Sequence, residues 1–248
     1  MNSRRDFLKR AAVGSALALS LPDIVAAAIP DNIAKVRLKQ GGTILFQGDS
    51  ITDASRSRDA REANHAGALG RGYAFLAAAE LLKQHASLKL NIYNRGISGN
   101  KVYQLADRWD EDCLNIKPDV LSILIGVNDY WHKRNGNYDG TVTVYRNDYI
   151  ALIERTKKAL PDASLIICEP FAIPGTTAVD STWFPEFKGY QEAAREVADR
   201  FNAVFIPFQS VFDKAKEKAS GDYWAPDGVH PSIAGAQLMA TAWLKALG

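Results

Sequence analysis

The sequence predicts an α/β domain, a three-layer α/β/α sandwich around a five-stranded parallel sheet. Five short apolar runs, rich in β-branched or aromatic residues, recur through the chain. Stretches of helical periodicity separate most of them. The runs at 120–126 and 164–170 are almost unbroken, as central parallel strands covered on both faces should be. Strands that alternate with helices argue for a parallel sheet with helices on both sides.

The elements follow in order. "TILFQ" (43–47) is the first predicted strand, and "GYAFLAAAELLKQ" (72–84) is the helix after it. "LKLNIYN" (88–94) and "VLSILIG" (120–126) are the second and third strands, and "YIALIERTKKAL" (149–160) follows as a helix. "SLIICEP" (164–170) precedes the helix "KGYQEAAREVADRF" (188–201). "AVFIPF" (203–208) is the last strand, and "PSIAGAQLMATAWLKAL" (231–247) closes the chain as a helix. No repeat, low-complexity tract or linker divides residues 29–248, so one domain is expected. Loops 52–69 and 171–187 are long enough to carry function.

Of the 248 residues, 47% are hydrophobic and 10% aromatic, enough for one sizeable core and unlike a disordered chain. Residues 1–28 read as a removable export signal: a basic start with Arg4 and Arg5, an apolar stretch, then small residues suited to cleavage. The apolar stretch is too short and too rich in Ala and Ser for a membrane span. "SRRDFLK" resembles the twin-arginine signals that export folded proteins, so a periplasmic or secreted location is expected, without stable membrane insertion once the signal is removed. Residues 1–28 hold four of the 30 Lys and Arg and two of the 28 Asp and Glu, leaving 26 of each. A formally neutral chain without a basic run offers nucleic acid no electrostatic footprint. Cys113 and Cys168 lack metal-site spacing, and Cys168 reads as a buried thiol.

In parallel α/β sheets ligands bind beyond the carboxyl ends of the strands. Ser50, in "FQGDSITD" (46–53), stands there, after the first strand. A serine hydroxyl becomes a nucleophile when a base, usually His, takes its proton and a carboxylate orients that base. The four histidines are His65, His85, His132 and His230. His85 ends a helical pattern, His65 lies in a polar loop, and His132 has only Asp129 near it in sequence. His230, in "DGVHPSIAG", has Asp227 three residues before it and Pro231, suited to a helix start, after it. Alone, Asp227 also reads as a turn or cap residue and His230 as a surface residue. Together they supply only two metal ligands, and no metal or cofactor is expected.

Acyl transfer also needs donors aimed at the developing oxyanion. The Ser50 N–H, Gly99 in "NRGISGN" (94–100) and Asn128 in "GVND" (126–129) are candidates, each with a plainer reading as a turn residue. Asp49 and Asp53 read as partners that fix the loop around Ser50. Trp131 and Trp224 are near the expected cleft in sequence and are candidate sugar-binding faces, with core filling as the other reading.

"GDSITD", "GISGN", "IGVND" and "DGVHP", in that order, resemble the blocks of the SGNH or GDSL hydrolases across about residues 43–240. The resemblance implies a flavodoxin-like sheet, with Ser50 as nucleophile, His230 as base, Asp227 as its orienter, and Ser50, Gly99 and Asn128 as the oxyanion hole. "ALGRGY" (68–73), "NRGISGNKV" (94–102), "RWDED" (108–112) and "LIGVNDYW" (124–131) are more closely similar to the bacterial acetylxylan esterases of that family. This implies a metal-free esterase that removes acetyl groups from xylan fragments. An esterase for lipidic acyl chains, a thioesterase, or an acetylesterase for pectin or another glycan is the alternative. Such enzymes are often homo-oligomers, but no interface is legible in the sequence.

Overall fold

The computed structural model describes residues 20–248. Most of the expected leader, including Arg4 and Arg5, therefore lies outside the described residues. Its last part does not: Leu21–Ala28 forms helix α1, started by a Ser20–Asp23 capping box. Ile24 and Val25 on α1, and Ile29 after it, are fully buried in the core.

Five parallel strands form one sheet: β1 (Thr43–Gly48), β2 (Asn91–Asn94), β3 (Val120–Leu124), β4 (Ser164–Cys168) and β5 (Val204–Ile206), in the order β2-β1-β3-β4-β5. This is the expected α/β class, in the flavodoxin-like order. The longer helices are α2 (Tyr73–Gln84), α3 (Val102–Asp107), α4 (Val127–Arg134), α5 (Val142–Ala159), α6 (Glu186–Arg200), α7 (Phe208–Ala215) and α8 (Ile233–Leu244). α8 packs on α1, α2 and α7, whereas α5 packs on α3 and α6. These two groups sandwich the sheet.

Every residue of β3 is buried. Its one polar side chain, Ser122, accepts a hydrogen bond from Trp243 Nε1 (2.8 Å) on α8, which satisfies both groups in the core. Cys113 and Cys168 are buried free thiols, as read for Cys168 from its apolar run.

Several boundaries differ from the sequence reading. β2 starts at Asn91 because 86–88 form a single 3₁₀ turn and Lys89 takes the left-handed conformation (φ 50°). α5 begins seven residues early, at Val142, where the Thr141 hydroxyl accepts from the Val144 N–H. α8 starts at Ile233 with Ser232 as its cap, so Pro231 precedes the helix. Among the described residues, no helix is long and apolar enough to cross a membrane.

The strand order reverses between β1 and β3, which pair with Gly48 opposite Leu124. The crevice beyond their carboxyl ends is the switch point at which such sheets bind ligands. Ser50 follows β1 by two residues, and Asn128 follows β3 by four.

Candidate active site

The turn after β1 needs glycine. Gly48 has φ 156°, and a Cβ there would meet the Leu124 carbonyl at 2.3 Å. Asp49 then caps the helical turn Ser50–Asp53, its Oδ1 accepting from the Ile51 N–H (3.0 Å). The strand thus ends and a helix begins around Ser50, which leaves its hydroxyl at the rim of the sheet.

The loop that enters α8 brings the partners. Ser50 Oγ and His230 Nε2 are 2.8 Å apart. His230 Nδ1 and Asp227 Oδ2 are 2.6 Å apart. Asp227 Oδ1 accepts from the N–H groups of Val229 (2.9 Å) and His230 (2.7 Å). Ile173 N–H donates to the Gly228 carbonyl and Ala178 N–H to that of Asp227, so the 171–179 segment clamps this loop. The long loop singled out in the sequence therefore supports the Asp–His pair.

Electrostatics follows from these contacts. Burial alone would raise Asp227. The hydrogen bonds from the His230 side chain and from the His230 and Val229 backbones outweigh it and hold the carboxyl at about 2. The same hydrogen bond, accepted by Asp227, raises His230 against the opposing effect of burial. An ionised Asp227 keeps the proton on Nδ1 and turns the Nε2 lone pair toward the Ser50 hydroxyl, the tautomer a general base requires.

The second and third segments join at the same rim. Ile97 N–H donates to the Gly48 carbonyl (3.0 Å), and Ser98 N–H to Asp53 Oδ2 (2.9 Å). Gly99 has φ 81°, a conformation glycine adopts without strain. Asn128, buried at the start of α4, donates through Nδ2 to the Asn100 carbonyl (3.3 Å). Asp129 Oδ1 accepts from the Val102 N–H (3.2 Å). These contacts tie the Gly99 and Asn128 segments to the Ser50 turn.

Two of the other histidines have local side-chain partners. His65 Nδ1 accepts from the Ala68 N–H, and His132 Nδ1 is 3.0 Å from Lys101 Nζ. Asp53 fixes the loop as read from sequence, accepting from the Arg56 and Ser98 N–H groups and from Arg58. Asp49 is fully buried, and burial pushes it up to about 7.

The two tryptophans part company. Trp131 packs on buried Trp183 (ring centroids 5.6 Å) and faces His230 (6.5 Å). Trp224 does not wall the cleft. It is buried, and its Nε1 donates to the Ala215 carbonyl (3.1 Å), so it offers a substrate no free face. Sequence proximity to Asp227 misplaced it, because the turn Gly221–Trp224 points inward against α7.

Residues 46–238 match the model of the GDSL-like lipase/acylhydrolase family. The chain belongs to that family. It is 33% identical over 217 residues to an acetylxylan esterase from Geobacillus stearothermophilus, covering 86% of this chain and 97% of that protein. The crystal structure of that organism's acetylxylan esterase Axe2 superposes with a TM-score of 0.77 at 31% identity, over 86% of this chain and 97% of the other. A crystal structure from Parabacteroides merdae, assigned by name to the GDSL-like lipases, reaches 0.84 at 49% identity, over 86% and 98%. Two Axe2 variants named catalytic mutants replace a histidine and an aspartate three positions apart. With its family and its acetylxylan esterase relative, this GDSL-family chain is a carboxylic ester hydrolase.

Proposed function

We propose that this chain is a serine esterase that removes acetyl groups from carbohydrate, xylan or its oligosaccharides, through an acyl-enzyme on Ser50. The contact that carries the reading is the Ser50–His230–Asp227 relay at 2.8 and 2.6 Å. The equal spacing of Asp227 and His230 with the Axe2 pair supports it.

In this proposal His230 takes the Ser50 proton as the oxygen attacks the acetyl carbonyl. The N–H groups of Ser50 and Gly99 and the Asn128 side-chain amide receive the oxyanion. The tetrahedral intermediate collapses, and His230 gives its proton to the departing sugar oxygen. Water, deprotonated by the same His230, then releases acetate from Ser50. Asp227 stays ionised throughout and holds the imidazole in place. Trp131 supplies an aromatic face beside the reacting groups. No step calls for a metal.

Acetate release from defined acetylated xylo-oligosaccharides tests the substrate. Nitrophenyl esters of increasing chain length are the comparison. Faster turnover of the xylo-oligosaccharides is expected. A preference for long acyl chains would instead support a lipase-like activity.

Export through a twin-arginine signal is part of the proposal. Cell fractionation and N-terminal sequencing test it, with a processed chain in the periplasm or medium as the expected result. An unprocessed cytoplasmic chain would contradict it.

A further inference from the structure

A cleft of about 720 Å³ opens beside Ser50 and His230. Its wall is cationic: Arg56, Arg58 and Arg71 line it, and Asp53 is the one carboxylate among the described lining residues. The chain as a whole has 30 basic and 28 acidic residues, so this concentration is local.

Asp53 does not neutralise the three arginines. It accepts from two backbone N–H groups and pairs with Arg58 (2.7 Å). Arg56 is only 8% exposed, and its Nε donates to the Gly96 carbonyl (2.7 Å). Its two terminal amino groups have no hydrogen-bond partner among the described residues. Behind Arg56, Arg95 and Arg108 share the single carboxylate Asp112. Burial lowers the Arg56 guanidinium to about 10, Asp53 partly opposes this, and Arg95 adds to it. Left without protein acceptors at the cleft wall, the Arg56 terminal amino groups can donate to an incoming anion. Arg71 is exposed, and its side chain has no ion-pair partner among the described residues. Its guanidinium can take a carboxylate in two parallel hydrogen bonds.

The position of the cleft says which part of an ester enters it. His230, Pro231, Ser232 and Ile233 line it, whereas Gly99 and Asn128 do not. Two of the three proposed oxyanion donors thus stand outside this space, whereas Ser50, which supplies the third, and the proton donor His230 line it. The leaving alcohol departs on the side of the imidazole that protonates it. The cleft therefore receives the sugar.

We infer that this cleft selects acetylated sugars that carry a carboxylate, a uronic acid within or on the oligosaccharide, with Arg71 and the terminal amino groups of Arg56 as its donors. The inference rests on the esterase reading above and adds the charge of the substrate.

The test uses the purified full chain and matched substrates: an acetylated uronic-acid oligosaccharide, and the same compound with its carboxyl methyl-esterified. The readout is the ratio of kcat/KM for acetate release, free acid over methyl ester. At low salt the ratio should be about ten, carried mainly by KM, and should fall as salt screens the charges. Arg71→Gln should lower the ratio about fivefold, and Arg71→Lys should restore part of it. A ratio near one in the unmodified protein, or the same ratio in Arg71→Gln, would overturn the inference while leaving the esterase reading intact. Nitrophenyl hemisuccinate against nitrophenyl butyrate separates an acidic acyl chain from an acidic sugar. A preference for the hemisuccinate without one for the uronic acid would overturn the placement on the sugar. No turnover of any ester, nitrophenyl acetate included, would overturn the esterase reading and the inference with it.

Discussion

Two aspartates stand on either side of the Ser50–His230 pair, and their surroundings push them in opposite directions. Asp227, on the loop into α8, is partly exposed, receives three hydrogen bonds and is held at about 2. Asp49, on the turn after β1, is fully buried and is pushed up to about 7. One of its oxygens caps Ile51, and the other has no hydrogen-bond partner among the described residues. Hydrogen bonds to the charged form outweigh burial at the first site, and burial outweighs a single hydrogen bond at the second. Adjacency to the proposed nucleophile in sequence therefore does not choose the proposed orienting carboxylate. The hydrogen bonds it receives do.

Substitutions test this contrast. Asp227→Asn keeps the shape but loses the ionised partner of Nδ1, and kcat should fall by about 10³–10⁴. Asn128→Ala, which removes one proposed oxyanion donor and neither aspartate, should cost on the order of 10²–10³. Asp49→Asn keeps an oxygen to cap Ile51 and should cost less than about tenfold in kcat. Steady-state kinetics on one soluble acetyl ester ranks all three. A loss in Asp49→Asn as large as that in Asp227→Asn would break the comparison.

The pH profiles sharpen it. In the proposed mechanism His230 acts as a base when neutral, so kcat/KM should rise as pH passes through its pKa. The Asp227 hydrogen bond sets that pKa above the ordinary histidine range. The acidic limb should move to lower pH in Asp227→Asn. It should move the same way, but less, in Asp49→Asn, whose charge has the weaker influence on His230.

Stability should show the same opposition. The depressed Asp227 contributes stability that is present above its unfolded value of about 3.9 and is lost as pH falls toward 2. The deficit of Asp227→Asn against the unmodified protein should therefore grow from pH 2 to 4. The raised Asp49 acts in reverse, costing stability as pH rises from about 4 to 7. Asp49→Asn should gain on the unmodified protein over that interval. Thermal midpoints across pH measure both.

The sequence revealed the parts of the site that lie in short blocks at strand ends. Ser50, Gly99, Asn128, Asp227 and His230 each follow a strand or enter a helix, where a pattern of apolar runs locates them. The arginine wall was not legible. Arg56, Arg58 and Arg71 lie in one long loop, Arg95 and Arg108 in two other segments, and only folding shows what they share. The same loop's "ALGRGY" stood out as a resemblance without a physical role for Arg71. Among the elements, the one-and-a-half-turn α3 was missed, as were α4 and α7, because "VNDYWHKR" is mostly polar and "FQSVFDKA" continues an apolar run without a break. Helix α1 falls within the expected leader, because apolar and small residues serve export and core packing alike. Trp224 shows the limit of inference from neighbours in sequence, since a buried indole and a partly exposed carboxylate stand only three positions apart.

The central claim is that Ser50 carries the acyl group. Treatment with a fluorophosphonate, followed by peptide mass spectrometry, tests it most directly. One adduct per chain, on the peptide containing Ser50, with activity lost in step and no labelling in His230→Ala, is the expected result. An active protein that keeps its turnover while unlabelled, or that carries the adduct on another residue, would contradict the account.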